Sequence, residues 1–190
     1  MIKNIIFDIG GIILDDSIDN LSRVFNKDMT DIYKKVYMGD FKKCLLGELS
    51  FLDYSKQFEK DVDYKYIKDI LDPNKLNIIT PVINENLSYI IKLKERGYHL
   101  YLLSNLAKET YDYLNSLINI NNYFDGAVFS FEEQMKKPDE AIFKLIINKY
   151  NLNKDETIYF DDKEKMVNVA SSLGIRSYVF KSIEDIEKNI

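Results

Sequence analysis

Residues 5–11 read IIFDIGG, a short apolar run that ends at a carboxylate, Asp8, with two glycines close behind it. A run of this length and composition predicts a parallel strand that is buried on both faces of a sheet. Beyond it the pattern changes, because apolar side chains recur at helical spacing from about Ser17 to Pro81 without a strand-like run. We therefore expect the first strand to be followed by a helical region of about four helices.

From Asn84 onward, strand-like and helical segments alternate, which predicts a parallel sheet covered by helices on both faces. The further predicted strands cover residues 98–103, 126–130, 157–160 and 177–180. The predicted helices cover residues 84–96, 108–117, 138–150 with Pro138 in the first turn, 164–173, and a short segment capped by Ser182. The fold class is thus expected to be α/β, with a doubly wound, Rossmann-like parallel sheet of about five strands.

Polar side chains follow two more of the predicted strands at the point where each ends. Ser104 and Asn105 come after Leu100–Leu103, and Asp161 and Asp162 come after Ile158–Phe160. Ligands of open α/β sheets bind outside the carboxyl ends of the strands, so we expect these side chains to meet Asp8 in one crevice. A carboxylate nucleophile, a hydroxyl and a carboxylate pair suit magnesium-assisted chemistry on a phosphate.

Four segments in this order resemble the haloacid dehalogenase (HAD) superfamily, and the resemblance covers nearly the whole chain. They are residues 8–14 (DIGGIIL), 102–105 (LLSN), 137–143 (KPDEAIF) and 159–162 (YFDD). The nearest likeness is to the phosphatase-like branch with a small helical cap after the first motif, some of whose members act on sugar phosphates. The resemblance implies an α/β core formed by residues 1–15 and 82–190, with residues 16–81 as the cap.

The resemblance also implies roles for these residues. Asp8 would attack phosphorus and form an aspartyl-phosphate, and Lys137, favoured over Lys136 by the proline after it, would balance the negative charge. Ser104 and Asn105 would bind the phosphate. Mg²⁺ would be held by Asp8, the backbone carbonyl of Gly10, and Asp161, Asp162 or both.

Two positions depart from the family pattern. Position 10 usually holds a second Asp that protonates the leaving group and activates water, and Gly10 cannot do this. Asp15 and Asp16 are the nearest substitutes, although acids that cap the start of the helical region explain them more simply. Met166 stands where the family often has an Asn that supports the acidic loop, which puts the geometry of Asp162 in question.

These departures keep two alternatives open. Another HAD hydrolase, a dehalogenase or a phosphonatase, also lacks the second Asp. A phosphonatase would need a cap lysine that forms an imine, for which the sequence offers Lys34, Lys35, Lys42 and Lys43. A catalytically weak HAD protein that binds a phosphorylated metabolite or a protein partner is the second alternative. The substrate itself is not evident from the sequence.

Composition sets further limits. The chain has 190 residues and a net charge of −5, which offers no basic surface for nucleic acid and favours a small phosphorylated metabolite as partner. No apolar stretch approaches the length of a membrane span. A single cysteine, Cys44, excludes an intrachain disulfide, so we expect a cytoplasmic protein. For the oligomeric state we expect a monomer or a homodimer. The only histidine, His99, is expected to pack within its strand, and the tyrosines of the helical region are expected mainly to pack in its core.

Overall fold

A computed structural model describes residues 1–190. Its centre is a five-stranded sheet in which all neighbouring strands are parallel, in the order β3-β2-β1-β4-β5. The strands are β1 (Asn4–Phe7), β2 (His99–Ser104), β3 (Gly126–Phe129), β4 (Thr157–Asp161) and β5 (Arg176–Val179). The strand order reverses direction around β1, so the carboxyl ends of β1, β2 and β4 lie side by side at the position where open α/β sheets bind ligands.

The helices fall into two groups along the chain. Those between β1 and β2 are α1 (Ile18–Phe25), α2 (Thr30–Tyr37), α3 (Lys42–Leu45), α4 (Phe51–Lys56), α5 (Tyr64–Ile70), α6 (Leu76–Ile79) and α7 (Asn84–Glu95). The later ones are α8 (Lys108–Leu117), α9 (Ile120–Tyr123), α10 (Ser130–Glu133), α11 (Glu140–Lys149), α12 (Glu164–Ser172) and α13 (Ile183–Glu187). Short 3₁₀ turns cover Pro73–Lys75 and Lys154–Glu156.

The sheet is buried on both faces because alternate residues of each strand point to opposite sides. In β1, Ile5 and Phe7 belong to an apolar cluster with α7, α8 and α13, whereas Ile6 belongs to one with α11 and α12. β4 divides in the same way, with Phe160 on the first face and Tyr159 on the second. The near-continuous apolar composition of the strands is therefore what a sheet covered on both faces requires.

The segment between Ile18 and Ile79 has an apolar cluster of its own, which we call the helical-region cluster. It is built by buried side chains of α1 to α6 and of the turns between them, and it includes one residue that follows β2, Ala107. Two hydrogen bonds tie this region to the first turns of α10 and α8, which follow the carboxyl ends of β3 and β2. The Ser130 hydroxyl donates to the Leu45 carbonyl at 2.5 Å, and the Phe51 N–H donates to Glu109 Oε1 at 2.7 Å.

The predicted α/β class and parallel sheet are confirmed, and each strand boundary lies within two residues of its predicted position. The helix at 108–117 has the predicted bounds, and Ser182 caps the last helix in a reciprocal arrangement with Asp185. The division of the chain at residues 15 and 82 into core and cap stays a prediction.

Three local predictions were wrong. The helix expected from Pro138 begins at Glu140, because Asp139 adopts an extended conformation and its carboxylate accepts the Ala141 N–H. The helical region has six short helices before α7 where about four were expected, since turns divide it more often than the apolar spacing suggests. His99 is exposed at the amino end of β2, with Nδ1 3.9 Å from Asp125 Oδ2, and does not pack in the core.

None of the helices combines the length and the hydropathy that a transmembrane span requires.

Candidate active site

Asp8 stands at the meeting point of the three central strands. Its N–H donates to the Phe160 carbonyl at 2.9 Å, which continues the β1–β4 ladder by one residue beyond Phe7. This register places Asp8 beside Asp161, the last residue of β4, and β2 ends in Ser104 on the other side. The structure thus brings the predicted strand-end residues together, as the parallel topology requires.

Lys137 is almost completely buried and reaches this point from the loop before α11. Its Nζ lies 3.0 Å from Asp8 Oδ1, 2.6 Å from Asp161 Oδ2 and 3.0 Å from the Tyr159 hydroxyl, which itself donates to Asp161. We call Asp8, Lys137, Tyr159, Asp161 and Asp162 the sheet-end cluster. Because the buried lysine lies between the two carboxylates, each of the three charged groups has a partner of opposite charge. Charged groups can be buried only under this condition.

The two carboxylates that contact Lys137 respond differently to burial. For Asp8 burial is the strongest influence and raises its pKa, aided by the negative charge of Asp161 and opposed by Lys137 and the nearby Ser104 hydroxyl. For Asp161 burial also opposes ionisation. The ion pair with Lys137 and hydrogen bonds from Lys137, Tyr159 and the Lys163 N–H outweigh it, so the pKa of Asp161 is lowered. Asp161 is therefore the firmly ionised partner of the lysine.

Asn105 holds the backbone of Lys137 in place. Its side-chain amide donates to the Lys137 carbonyl at 2.9 Å and its amide oxygen accepts the Lys137 N–H at 2.8 Å. Ser104 is buried at the end of β2, with its hydroxyl close enough to Asp8 to lower the pKa of that carboxyl. Asn105 thus fixes the position of the lysine, and Ser104 remains beside the carboxylate.

Asp162 completes an acidic group of three. Oxygens of Asp8, Asp161 and Asp162 all lie within 4.8 Å of one another. Asp162 Oδ1 is buried without a hydrogen-bond partner, and the Nζ of Lys163 is 3.7 Å away from it. Burial, together with the charges of Asp8, Asp161 and Asp16, raises the pKa of Asp162 to about 7 against the opposing charge of Lys163. A buried carboxylate oxygen without a partner, in a group of carboxylates, fits a hard divalent cation.

The backbone at Gly11 makes room for Asp162. Gly11 has a φ of +69°, and a Cβ built there would lie 2.8 Å from both Cγ and Oδ2 of Asp162. A residue with a side chain would therefore meet both backbone strain and a collision with the acidic group. The sequence shows Gly11 in the first motif, but its role depends on a partner far along the chain.

Two further residues of the site lie next to predicted ones. Tyr159 precedes Asp161 by two residues and so points to the same face of β4, a period-2 relation that would have singled it out. Lys163 faces the acidic residues, whose charges raise its pKa although burial opposes this.

Met166, where a supporting Asn was expected, packs against the α11 side of the core. The acidic loop is held by the Lys163 N–H, which donates to Asp161 Oδ1 at 2.9 Å.

A cavity of about 240 Å³ opens beside Gly10, between the strand ends and the helical region. Eleven of its 17 lining residues are hydrophobic. Tyr33, Tyr37 and Phe41 of the helical region contribute to its wall, as do Asp16 and Lys163. Two of the tyrosines expected to pack in the core thus face the cavity, whereas Tyr54 is buried in the helical-region cluster.

Comparison with known proteins agrees with this architecture. The model of the haloacid dehalogenase-like hydrolase family matches residues 5–180. The chain is 27% identical to a D-ribitol-5-phosphate phosphatase of Bacteroides thetaiotaomicron, over 94% of this chain and 91% of that protein. It is 24% identical to a phosphorylated carbohydrates phosphatase of Thermotoga maritima, over 90% of this chain and 81% of that protein.

A solved structure extends the likeness to three dimensions. A HAD-family enzyme of Bacteroides thetaiotaomicron, crystallised with magnesium and inorganic phosphate, superimposes with a TM-score of 0.73 at 26% identity and 97% coverage of both chains. The matched range covers the sheet from Ile5 onward and the whole sheet-end cluster. The chain therefore belongs to the haloacid dehalogenase-like hydrolase family.

Proposed function

We propose that this protein is a Mg²⁺-dependent phosphatase of small phosphomonoesters that forms an aspartyl-phosphate on Asp8. The observation that carries the proposal is the sheet-end cluster itself. Asp8 has one carboxylate oxygen 3.0 Å from Lys137 Nζ, and two further carboxylates lie within reach of the same point. A nucleophilic carboxylate beside a fixed cation and an acidic pair is the set of groups that phosphoryl transfer uses for attack and charge balance.

The residues present fit a magnesium ion. Asp8, Asp161 and Asp162 would hold it, with the Gly10 carbonyl as a further oxygen ligand, and the unpartnered Oδ1 of Asp162 is the group that most needs a cation. When bound, magnesium neutralises charge on the phosphoryl oxygens. Lys137 supplies a second positive charge on the side of Asp161, and Asn105 keeps that lysine from moving.

The chain's own residues divide the remaining work. Asp8 attacks phosphorus, and the Ser104 hydroxyl beside it donates to a phosphoryl oxygen. Tyr33, Tyr37 and Phe41 form part of the wall of the cavity that opens beside Gly10, two residues after Asp8, so we assign residues 16–81 the part of a cap over the site.

The substrate we propose is a small phosphorylated carbohydrate or polyol. Two relatives are named as phosphatases of such compounds, and each aligns with at least nine-tenths of this chain. The cavity of about 240 Å³ lies just below the range of typical ligand pockets, which suits a compact molecule.

The two hydrolase alternatives fit less well. A phosphonatase needs a cap lysine at the reacting carbon, and none of the four cap lysines considered lines the cavity. Lys35 pairs with Asp61 and Asp63, and Lys43 pairs with Asp40. A metal-free dehalogenase would leave the buried Oδ1 of Asp162 without a partner.

Phosphate release from a panel of pentose, hexose and polyol phosphates tests the proposal. The assay compares wild type with Asp8→Asn, each with Mg²⁺ and with a chelator. We expect magnesium-dependent release by the wild type and its loss, by at least about a thousandfold, in a folded Asp8→Asn protein. Release that persists in Asp8→Asn, or that is unaffected by the chelator, would contradict it.

A further inference from the structure

Hydrolysis of an alkyl phosphate requires a proton donor near the leaving oxygen. An alkoxide leaves poorly unless it is protonated as the P–O bond breaks, and the water that attacks next must give up a proton. Gly10, two residues after Asp8, has no side chain to do this. If the proposed function is right, another group must supply the proton.

The cavity offers one carboxyl group for this purpose. The cavity begins at Ile9 and Gly10, directly after Asp8, so a leaving group that extends from Asp8 into it meets Asp16, the only Asp or Glu among the residues that line it. The other carboxylates near Asp8 are already engaged. Asp161 is bound by Lys137 and Tyr159, and Asp162 belongs to the acidic group of three.

Asp16 occupies the space that a side chain at position 10 would fill. A Cβ built on Gly10 would lie 2.7 Å from Asp16 Oδ2 and 3.3 Å from its Cγ. The carboxyl group of Asp16 therefore lies where the side chain of an aspartate at position 10 would start, although Asp16 is six residues further along the chain. Gly10 is not in the left-handed region, so the absence of a side chain there is not required by the backbone. A side chain there would instead force the Asp16 carboxylate to move from its present position.

The loop after Gly10 delivers Asp16 to this position. Gly11 N–H donates to the Leu14 carbonyl at 2.9 Å, closing a tight turn, and Asp15 N–H donates to the Pro81 carbonyl at 2.9 Å. These bonds fix the backbone on the amino-terminal side of Asp16.

The neighbouring acid has a different role. The Asp15 carboxylate accepts the Ser17 hydroxyl at 2.5 Å and the Ser17 N–H at 3.2 Å, so it stabilises the start of α1. Of the two acids that the sequence leaves as candidates, Asp15 caps the helical region and Asp16 faces the cavity.

We propose that Asp16 is the general acid and base of this enzyme, in place of a side chain at position 10. In the first step Asp8 attacks phosphorus, the bond to the leaving oxygen breaks, and that oxygen takes the proton of the Asp16 carboxyl group. In the second step water attacks the aspartyl-phosphate and gives its proton to the Asp16 carboxylate. The electron pair of the broken P–O bond returns to Asp8, and inorganic phosphate leaves.

Leaving-group dependence tests this role in the magnesium-loaded enzyme. Asp16→Asn should lower kcat for an alkyl phosphate by about 10²–10⁴-fold, the usual contribution of general acid–base catalysis. The first step with p-nitrophenyl phosphate should be much less affected, because nitrophenolate leaves without a proton. The second step still lacks its base, so the variant should release a burst of about one nitrophenol per site and accumulate phosphoenzyme, detectable by mass after acid quench. Asp15→Asn is the matched control and should show wild-type leaving-group dependence and no burst.

Moving the carboxylate back to position 10 gives a second, independent readout. Gly10→Asp alone should be impaired because the new side chain collides with Asp16. Gly10→Asp combined with Asp16→Ala should recover much of the activity that Asp16→Ala loses. Equal losses for both esters without a burst, or no rescue by the double variant, would overturn the role of Asp16. A wild type without phosphatase activity would instead refute the proposed function, and with it this proposal.

Discussion

The sheet-end cluster and the helical-region cluster are both largely buried, but they consist of chemically different side chains. The first joins charged and hydroxyl groups from two strands and a loop, at positions as distant as Asp8 and Asp161. The second is almost wholly apolar and comes from consecutive helices between Leu21 and Ile79. Buried charges are stable only while every partner is present, whereas apolar packing tolerates the loss of one contact at the cost of a cavity. We therefore expect substitutions in the first cluster to change chemistry and stability together. Substitutions in the second should change stability alone wherever the residue does not line the cavity.

Lys137→Met should give the largest effect. It leaves Asp8 and Asp161 buried without their cation, so we expect a loss of about 3–5 kcal/mol in the free energy of unfolding together with loss of activity. Urea denaturation and phosphate release measure the two quantities.

Ile67→Ala is the matched change in the helical-region cluster. Ile67 is fully buried and does not line the cavity, so its truncation should cost about 2–5 kcal/mol while kcat per folded molecule stays unchanged. A Lys137→Met protein that keeps its activity, or an Ile67→Ala protein that is folded but inactive, would break the comparison.

A smaller effect is expected from Gly11→Ala, which acts on the cluster through the backbone. Positive φ should cost about 1–2 kcal/mol for any side chain, and the new Cβ would in addition displace Asp162. We expect weaker Mg²⁺ affinity, measured by titration calorimetry, and lower activity. Gly97→Ala separates the two causes, since Gly97 also has positive φ but nothing lies within 4 Å of a Cβ there. Equal magnesium affinity in both variants would show that Asp162 does not depend on Gly11.

The last expected effect needs no substitution and is a pH dependence of the metal-free protein. The pKa of Asp162 is raised from 3.8 to about 7, and those of Asp8 and Asp16 are raised as well. A carboxyl group with a higher pKa in the folded state binds its proton more readily there. The free energy of unfolding should therefore fall as pH rises between about 4 and 7.

Denaturation of the chelator-treated protein across this pH range measures that slope. Asp162→Asn should reduce it, and saturating Mg²⁺ at pH 7 should restore stability because the cation favours the ionised carboxylates. If the free energy of unfolding of the metal-free protein rises steadily between pH 4 and pH 7, the conclusion that the fold disfavours ionised Asp162 is contradicted.

Much of the sheet and part of the site could be predicted from the sequence. Apolar runs located all five strands, and the rule that strand ends converge identified Asp8, Ser104, Asp161 and Asp162 as neighbours before any distance was known. Lys137 came from its motif, and the structure brings its Nζ to Asp8. These predictions succeed because strand direction and side-chain alternation follow from residue spacing alone.

Other features depend on contacts that spacing does not encode. Asp15 lies at the start of α1, whereas the side chain of Asp16 lies at Gly10. This difference follows from a turn whose path is set by Gly11 and by the hydrogen bond from the Asp15 N–H to the Pro81 carbonyl. Likewise, both atoms of the Asn105 amide bind a backbone 32 residues away. A loop has no periodicity from which its side-chain directions can be read.

The amino-acid sequence by itself determined the α/β class, the strands and the set of acids and lysine that meets at the strand ends. Only the tertiary structure decided which acid faces the cavity, which glycine admits Asp162 and which side chain holds Lys137 in place. The physical reason is that strands carry their side-chain directions in a period of two residues, whereas a buried carboxylate in a loop takes its position from whatever chain packs against it.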